Sequence, residues 1–557
     1  MRLGLGMVNI PTTGLKLKLF TTIAALRCYL EQYRADKLSV TREFEAETPK
    51  PLDVLPNYHQ QIGLVPTMGA LHAGHQSLIA QARRENGLVV VSIFVNPLQF
   101  GPQEDLDRYP QTLDHDRQLC EAMGVDVIFA PSPAELIGPA AQDRSAHTQV
   151  LPPSAMLRVL CGPHRPGHFE GVATIVTKLL QLVQPDRAYF GEKDAQQLAI
   201  IRRLVVDLNL SVDIMGCPIV REASGLAYSS RNQYLSPTER EQATGLYRSL
   251  QAAVAQFRAG ERRAAPLIHT VKQTMSTLPN LRLEYAELVH PDTLTPLTEV
   301  STRGLLGVAA YVGSTRLIDN QLLYARKPIV AIDGPAGAGK STVTRQVADR
   351  LGLMYLDTGA MYRAVTWLVL QAGIALDDEA AIAEAVSRCV IELVPAPPDP
   401  PTGPLTVLVN GEDVTQAIRS LEVTAHVSAI AAQPAVRRLL VAQQQRYAEQ
   451  GGIVAEGRDM GTYVFPQAEL KIFLTASVQE RARRRHQELL SQGQTQLSQA
   501  ELEAAIAQRD TLDSTRAFAP LSQAADAIAI VTDDLSIEAV VDKIISLYQE
   551  KGLGAMA

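Results

Sequence analysis

The sequence predicts an α/β protein built as two successive parallel-sheet units, and three observations carry that prediction. Short apolar runs alternate with helical stretches from residue 62 onward, the pattern of βαβ crossovers. After a change of texture near Arg221, the same alternation restarts at 329–332. Each unit also carries its own phosphate-handling segment directly after an apolar strand. The first reads Pro66-Thr67-Met68-Gly69-Ala70-Leu71-His72-Ala73-Gly74-His75, the second Gly334-Pro335-Ala336-Gly337-Ala338-Gly339-Lys340-Ser341.

Taken in order, residues 20–35 have the spacing of an amphipathic helix, and 36–59 reads as a polar, Pro-containing insertion. Strands are predicted at 62–65, 88–95 and 125–130, with helices around 75–84 and 112–123. Helix and strand signals continue through 172–183, 188–190, 195–208 and 212–220. From 221 a smaller α+β subdomain follows, with helices at 237–258 and 264–278 and strands at 281–289 and 305–312. The boundaries are therefore 1–323 for the first unit (about 20–220 and 221–323), a linker at 324–328, and 329–557 for the second. In the second unit the Pro-rich stretch 395–404 reads as a loop feeding a hairpin through Asn410-Gly411.

Composition sets limits on function. Of 557 residues, 46% are hydrophobic and 20% charged, ordinary for a globular protein. A net charge of −7 provides no general basic field, which argues against nucleic acid as a partner. Cys28, Cys120, Cys161, Cys217 and Cys389 show no paired spacing, a pattern of reduced cytosolic thiols rather than disulfides or zinc. No apolar run approaches the roughly 20 residues needed to cross a bilayer, and residues 1–20 lack a signal-peptide core. A cytoplasmic protein without a membrane partner is the expectation.

In the second unit, residues 334–341 fit G-x-x-x-x-G-K-[ST] between an apolar strand and a helical run, the context that motif requires. Its glycines let successive N–H groups face phosphate oxygens, and the helix start adds a positive dipole. Residues Gly334 through Thr342 are the expected ATP contacts, with Lys340 placed to reach the β/γ-phosphates and Ser341 to hold Mg2+. A plain Gly-rich turn is the structural alternative. Asp357-Thr358-Gly359-Ala360-Met361-Tyr362-Arg363 and Glu456-Gly457-Arg458-Asp459-Met460-Gly461-Thr462 each follow a predicted strand, where an α/β sheet presents its ligands. Arginines grip a monophosphate in bidentate fashion, while Asp or Ser reads an exocyclic amine and hydroxyls.

Over nearly its whole length this unit resembles bacterial-type cytidylate kinases. The resemblance implies a P-loop nucleoside monophosphate kinase domain transferring phosphate from ATP to CMP or dCMP. It implies a CMP site of Thr358, Arg363, Ser428, Arg437 and Asp459, completed by Arg509, Asp513 and Arg516. The cluster Arg481, Arg483, Arg484 and Arg485 resembles the family's short lid; a solvated basic helix face accounts for the same residues. The long segment before Ser428 sets the unit apart from adenylate and shikimate kinases.

In the first unit, His72 and His75 lie three positions apart at a predicted helix start, so they share one side of a turn. Gly74 lets a bulky ligand approach the backbone. Two imidazoles at a helix N-terminus suit the charge developing on an α-phosphate and a departing pyrophosphate. A metal pair and an unligated surface pair are the alternatives, although no carboxylate lies at a matching offset. Further segments follow in order: Phe94-Val95-Asn96-Pro97-Leu98-Gln99-Phe100, Arg165-Pro166-Gly167-His168-Phe169, Gly191-Glu192-Lys193-Asp194 with Gln196-Gln197, and Gly225-Leu226-Ala227-Tyr228-Ser229-Ser230-Arg231-Asn232.

With these five motifs, residues from about 20 to 323 resemble pantothenate synthetases (pantoate–β-alanine ligases), relatives of the class I aminoacyl-tRNA synthetase nucleotidyltransferases. The resemblance implies a Rossmann-like nucleotidyltransferase domain with a small α+β subdomain. It also implies a two-step reaction, in which pantoate's carboxylate attacks the α-phosphate of ATP and the β-alanine amine then displaces AMP. Implied ATP contacts are Met68, Gly69, Ala70, Leu71, His72, Ala73, Gly74, His75, Gly191, Glu192, Lys193, Asp194, Val220, Tyr228, Ser229, Ser230 and Arg231. His75 is the implied acid, and Lys193 and Arg231 supply positive charge. Gln99 is implied to bind pantoate and β-alanine and Gln197 pantoate, while Asn96 shapes that pocket. By itself Gly191–Asp194 reads as a solvated loop. Two departures concern packing and loop shape: Ala195 replaces an aromatic, and Glu222-Ala223-Ser224 replaces the usual approach to Gly225.

The expectation is a bifunctional enzyme using ATP with Mg2+ and no organic cofactor, dimerising through its first half as the resemblance implies. The alternative keeps one half active and makes the other a nucleotide-sensing module.

Overall fold

The computed structural model describes residues 17–46, 61–101, 106–141, 143–394, 405–491, 498–515 and 519–553. The chain divides into two compact units, with the division between Ala325 and Arg326.

The first unit contains β1 (Lys18–Phe20), α1 (Ile23–Ala46), β2 (Ile62–Thr67), α2 (Ala73–Glu85), β3 (Leu88–Ile93), α3 (Leu113–Ala122), β4 (Val127–Phe129), α4 (Pro133–Leu136), α5 (His168–Val183), β5 (Arg187–Gly191), α6 (Ala195–Asp207) and β6 (Asp213–Cys217). Its six strands pair in the order β1-β4-β3-β2-β5-β6, all parallel. β2 and β3 are almost wholly buried, as strands covered on both faces must be. One apolar core joins Leu26, Leu64, Val90, Val127 and Val176; another, across the sheet, joins Val65, Ile79, Val89 and Ile128. From β2 the chain winds to β3 and β4 on one side and, after β4, crosses back to β5 and β6 on the other, so the loop after β2 lies at the switch point where such sheets receive ligands.

The same unit continues with α7 (Pro237–Arg258), α8 (Ala264–Ser276), β7 (Leu281–Val289), β8 (Arg303–Val312) and β9 (Thr315–Tyr324), the strands forming an antiparallel sheet. This is the expected α+β subdomain, with β9 as an additional strand. A third core, including Leu160, Phe169, Ile200, Tyr285 and Leu305, joins it to the larger sheet.

The second unit contains β10 (Lys327–Asp333), α9 (Lys340–Leu351), β11 (Met354–Asp357), α10 (Thr358–Gln371), α11 (Glu379–Ser387), β12 (Ile391–Val394), β13 (Thr406–Val409), β14 (Glu412–Asp413), α12 (Leu421–Ala432), α13 (Pro434–Tyr447), β15 (Gly451–Gly457), β16 (Leu470–Thr475), α14 (Val478–Ser491), α15 (Gln499–Thr515), β17 (Ile528–Val531) and α16 (Ile537–Glu550). The main sheet runs β11-β15-β10-β16-β17, again all parallel. Asn410 and Gly411, both at positive φ, turn β13 into β14 as the hairpin reading requires.

Three sequence expectations need adjustment. The 36–46 part of the polar insertion is the end of α1, because it contains no Pro or Gly to stop the helix. Strands claim Tyr324 and Lys327-Pro328, leaving only Ala325 and Arg326 of the 324–328 linker between them. β1 escaped the sequence reading because a three-residue strand is too short to show a period. The loop 395–404 lies outside the described residues.

Candidate active sites

In the first unit, Gly69 and Ala70 both take positive φ, curling the chain between β2 and α2. Asp116 of α3, fully buried, fixes that curl by accepting from the Ala70 N–H at 3.0 Å and the Leu71 N–H at 2.8 Å. His72 then caps α2. Its Nδ1 accepts the Gly74 N–H at 3.1 Å, and the Nδ1 of His75 faces the His72 N–H at 3.4 Å. Because a backbone N–H can only donate, both rings must carry their proton on Nε2, away from the backbone. The loop thus presents two imidazole N–H donors at a helix start, their centroids 4.1 Å apart.

Burial, followed by the Lys193 charge, lowers His72 to about 4. Burial and then His72 lower His75 to about 3. Both rings are therefore neutral at pH 7. In the unfolded chain they protonate near 6.5, so between that pH and about 3 the unfolded state binds more protons. The urea midpoint of the first unit is expected to fall with acidification across this window and to stay flat above it. A double variant, His72→Gln with His75→Gln, should show a shallower slope; an unchanged slope would refute the assignment.

The other predicted residues of this unit gather at the same edge. Gly191–Asp194 follows β5, and Asn320 of β9 donates to the carbonyls of Glu192 and Lys193, both at 2.9 Å. Tyr228 stacks beside His72, and its N–H donates to the Val220 carbonyl at 3.0 Å. Ser229 accepts the Arg231 N–H, and Ser230 meets Tyr109 at 3.3 Å. A cleft lined by Lys193, Asp194, Gln197, Ser229 and Arg231 opens between the two subdomains of this unit, with Arg165, His168 and Arg316 on its wall. Gln99 directs its amide toward Met68 Sδ and Asn96, whose Nδ2 lies 3.3 Å from Gln99 Oε1.

In the second unit, Gly334, Gly337 and Gly339 all take positive φ. A Cβ at Gly334 would lie 2.0 Å from the Leu474 carbonyl, so no other residue fits there. Lys340 is buried, with Nζ donating to the Pro335 carbonyl at 2.7 Å. Burial, and after it the Arg458 charge, hold its ammonium well below the usual range; Glu456, Asp333 and Asp513 pull the other way. Ser341 donates to Glu456 Oε2 at 2.9 Å, and Tyr355 donates to the other oxygen. Burial, then the Asp357 charge, raise the Glu456 carboxyl.

Thr358 begins α10 and donates to the Glu456 carbonyl at 2.6 Å; Arg363, one turn on, reaches Asp357 at 3.4 Å. Arg437 and Asp459 form a fully enclosed ion pair. Asp513 pairs with Arg458 at 2.8 Å, and Arg509 is held below its usual pKa by burial and then by the Arg458 charge. Ser428 stands on the exposed side of α12, and Arg516 lies outside the described residues. The basic cluster splits. Arg481 is buried and donates to the Ala336 carbonyl of the Gly-rich loop at 3.0 Å, and it also pairs with Asp510. Arg483 and Arg485 are exposed and pair along their own helix with Glu480 and Glu488.

Sequence reasoning missed the residues that hold these loops: Asp116, Asn320, Arg458 and Asp333. Asp333, at the end of β10, accepts the N–H groups of Met460 at 2.8 Å and Gly461 at 2.7 Å. Burial pushes its carboxyl up to about 6 against the pull of those donors. Only Arg458 had a signal, its place inside an already singled-out motif. Among the described residues no three His, Cys, Asp or Glu side chains converge as a metal site, and no helix is long and apolar enough to cross a membrane.

Folds and sites together define a tandem of two nucleotide-handling α/β enzymes, the second of the P-loop class. The family model for pantoate-beta-alanine ligase matches residues 36–322, and that for cytidylate kinase residues 330–550. The chain belongs to the bifunctional pantoate ligase/cytidylate kinase family. It is 59% identical to a protein of that name from Trichormus variabilis, over 96% of this chain and 99% of the relative. It is 58% identical to another from Synechocystis, over 96% and 100%. A solved pantothenate synthetase from Thermus thermophilus is 42% identical, covering 55% of this chain and 98% of its own, with a TM-score of 0.47.

Proposed function

We infer that the chain carries both activities of its family: ATP-dependent condensation of pantoate with β-alanine in the first unit, and phosphorylation of CMP or dCMP by ATP in the second. One observation carries this reading. Each unit holds a complete, separately cored phosphate device, and the two are of opposite kinds.

In the first unit, the Nε2–H donors of His72 and His75 face the charge that develops as pantoate's carboxylate attacks the α-phosphate and pyrophosphate departs. Lys193 and Arg231 add positive charge; the remaining ATP contacts come from 68–75, Gly191–Asp194, Val220 and Tyr228–Arg231. Gln99, Gln197 and Asn96 orient pantoate, so that the β-alanine amine meets the acyl carbon of the mixed anhydride and AMP leaves. The donors stand ready before reaction, so no reorganisation is needed when charge appears.

In the second unit, Lys340 and the curled N–H groups take the ATP phosphates, while Arg363, Arg437, Arg458 and Arg509 surround the CMP phosphate. Thr358, Ser428, Asp459, Asp513 and Arg516 complete the acceptor site. The hydroxyl of Ser341 and the carboxylate of Glu456 are hard oxygen donors beside the loop and suit Mg2+ carried with ATP. When bound, that ion neutralises charge on the polyphosphate. No organic cofactor enters either reaction. A homodimer built through the first unit and a cytoplasmic location complete the proposal.

A product assay tests it. Pyrophosphate is expected with pantoate alone, AMP only once β-alanine is present as well, and ADP only when CMP or dCMP is present. Loss of either product line would reduce that unit to a nucleotide-sensing module.

A further inference from the structure

We propose that His168 is a positioning residue of the ligase site: it holds the backbone carbonyl of Gln99 and so sets the aim of the Gln99 amide. The proposal rests on the reading above that Gln99 meets pantoate.

Three contacts press the start of α5 onto the turn 96–99. At Gly171 the helix backbone lies so close that a Cβ would stand 2.2 Å from the Leu98 carbonyl oxygen. Asn96 Nδ2 donates to the Gly171 carbonyl at 3.1 Å. Between them, His168 Nδ1 lies 2.7 Å from the Gln99 carbonyl, while Arg165 Nη1 lies 3.0 Å from Nε2. The carbonyl can only accept, so Nδ1 carries the proton; Nε2 is then a lone pair that accepts from the guanidinium. Arg165, His168 and Gln99 form a closed ring of hydrogen bonds with one satisfied tautomer, in which His168 makes the short bond to the Gln99 carbonyl and Arg165 Nη2 a long one at 3.5 Å. Protonating the ring would set two donors face to face at Nε2. Burial, and next the Arg165 charge, indeed hold the imidazole well below its ordinary pKa.

What this ring of bonds controls is the far end of Gln99. Its amide oxygen takes the Asn96 N–H and its nitrogen faces Met68, so both groups proposed for the acid substrate take their bearing from one helix start. His168 needs no contact with the substrate to act. A displacement of the Gln99 carbonyl would swing the amide, and misplacement on the order of 1 Å can cost about 100-fold in rate.

Two amide variants separate positioning from mere filling of space. His168→Asn places an N–H where Nδ1 stands and keeps the Gln99 carbonyl held. His168→Gln places its amide at the Nε2 end, where the oxygen accepts from Arg165, and leaves the Gln99 carbonyl with only the 3.5 Å contact of Arg165. The pantoate KM is expected to stay within about threefold of wild type in the Asn variant and to rise about tenfold or more in the Gln variant. The KM for ATP should change by less than about twofold in both. Equal pantoate KM values in the two variants, or ATP and pantoate KM values rising together, would overturn the proposal. Gln99→Ala separates the underlying reading. If it leaves the pantoate KM unchanged, Gln99 does not meet pantoate; if it raises KM while the His168 variants behave alike, only the role of His168 fails.

Discussion

Replacing Lys340 with alanine is expected to lower CMP phosphorylation by on the order of 10³-fold, while pantoate ligation by the same chain continues at its normal rate. The physical reason lies in what surrounds the ammonium. It is buried inside the curl of 334–341, bonded to the Pro335 carbonyl, and its charge is the local counterweight to Glu456, Asp333 and Asp513. Charge passing onto a transferring phosphoryl group in so enclosed a site is stabilised far more than it would be in water. Arginine should not restore the rate, because a planar, delocalised guanidinium cannot reproduce the compact point charge of Nζ. ADP formation with CMP is the measure. An alanine variant within tenfold of wild type would show that the Gly-rich loop acts through its backbone alone.

The second large effect is expected at His75. Alanine there should lower pantoate-dependent AMP release by about 10²–10³-fold, the usual cost of one preorganised donor at a developing charge, with the kinase spared. His75 also faces the His72 N–H, so the substitution removes part of the cap of α2 and about 1 kcal/mol of stability with it. The melting temperature of the variant must therefore be read beside its rate. A stable His75→Ala protein that ligates at the wild-type rate would refute the assignment of His75 as a donor to the phosphates.

The contiguous devices were legible in the sequence because backbone geometry demands their spacing. Gly334, Gly337 and Gly339 occupy positive φ, and His72 and His75 form the first turn of a helix; such constraints act between near neighbours. The groups that hold those devices were not legible, because they bind backbone from distant segments. Asp116 reaches Ala70 and Leu71 from another helix, and Asn320 reaches Glu192 and Lys193 from the smaller sheet. Neither residue stands in a pattern of its own. The arginine cluster shows a different limit: its spacing puts four cations on one helix, yet burial gives Arg481 to the Gly-rich loop and leaves Arg483 to the solvent. Composition cannot tell those faces apart.

Asp333 has a consequence of another sort. On one side it ends the strand that feeds 334–341; on the other it grips the amides of Met460 and Gly461, next to Asp459. On the proposed assignment, the first segment carries the phosphate to be given and the second helps hold the nucleotide that receives it. Donor and acceptor are thus gauged against each other by the direct pairing of β10 with β15 and, just beyond it, by a single short side chain. The reach of the transfer is therefore written into the scaffold as well as into the residues that meet the nucleotides.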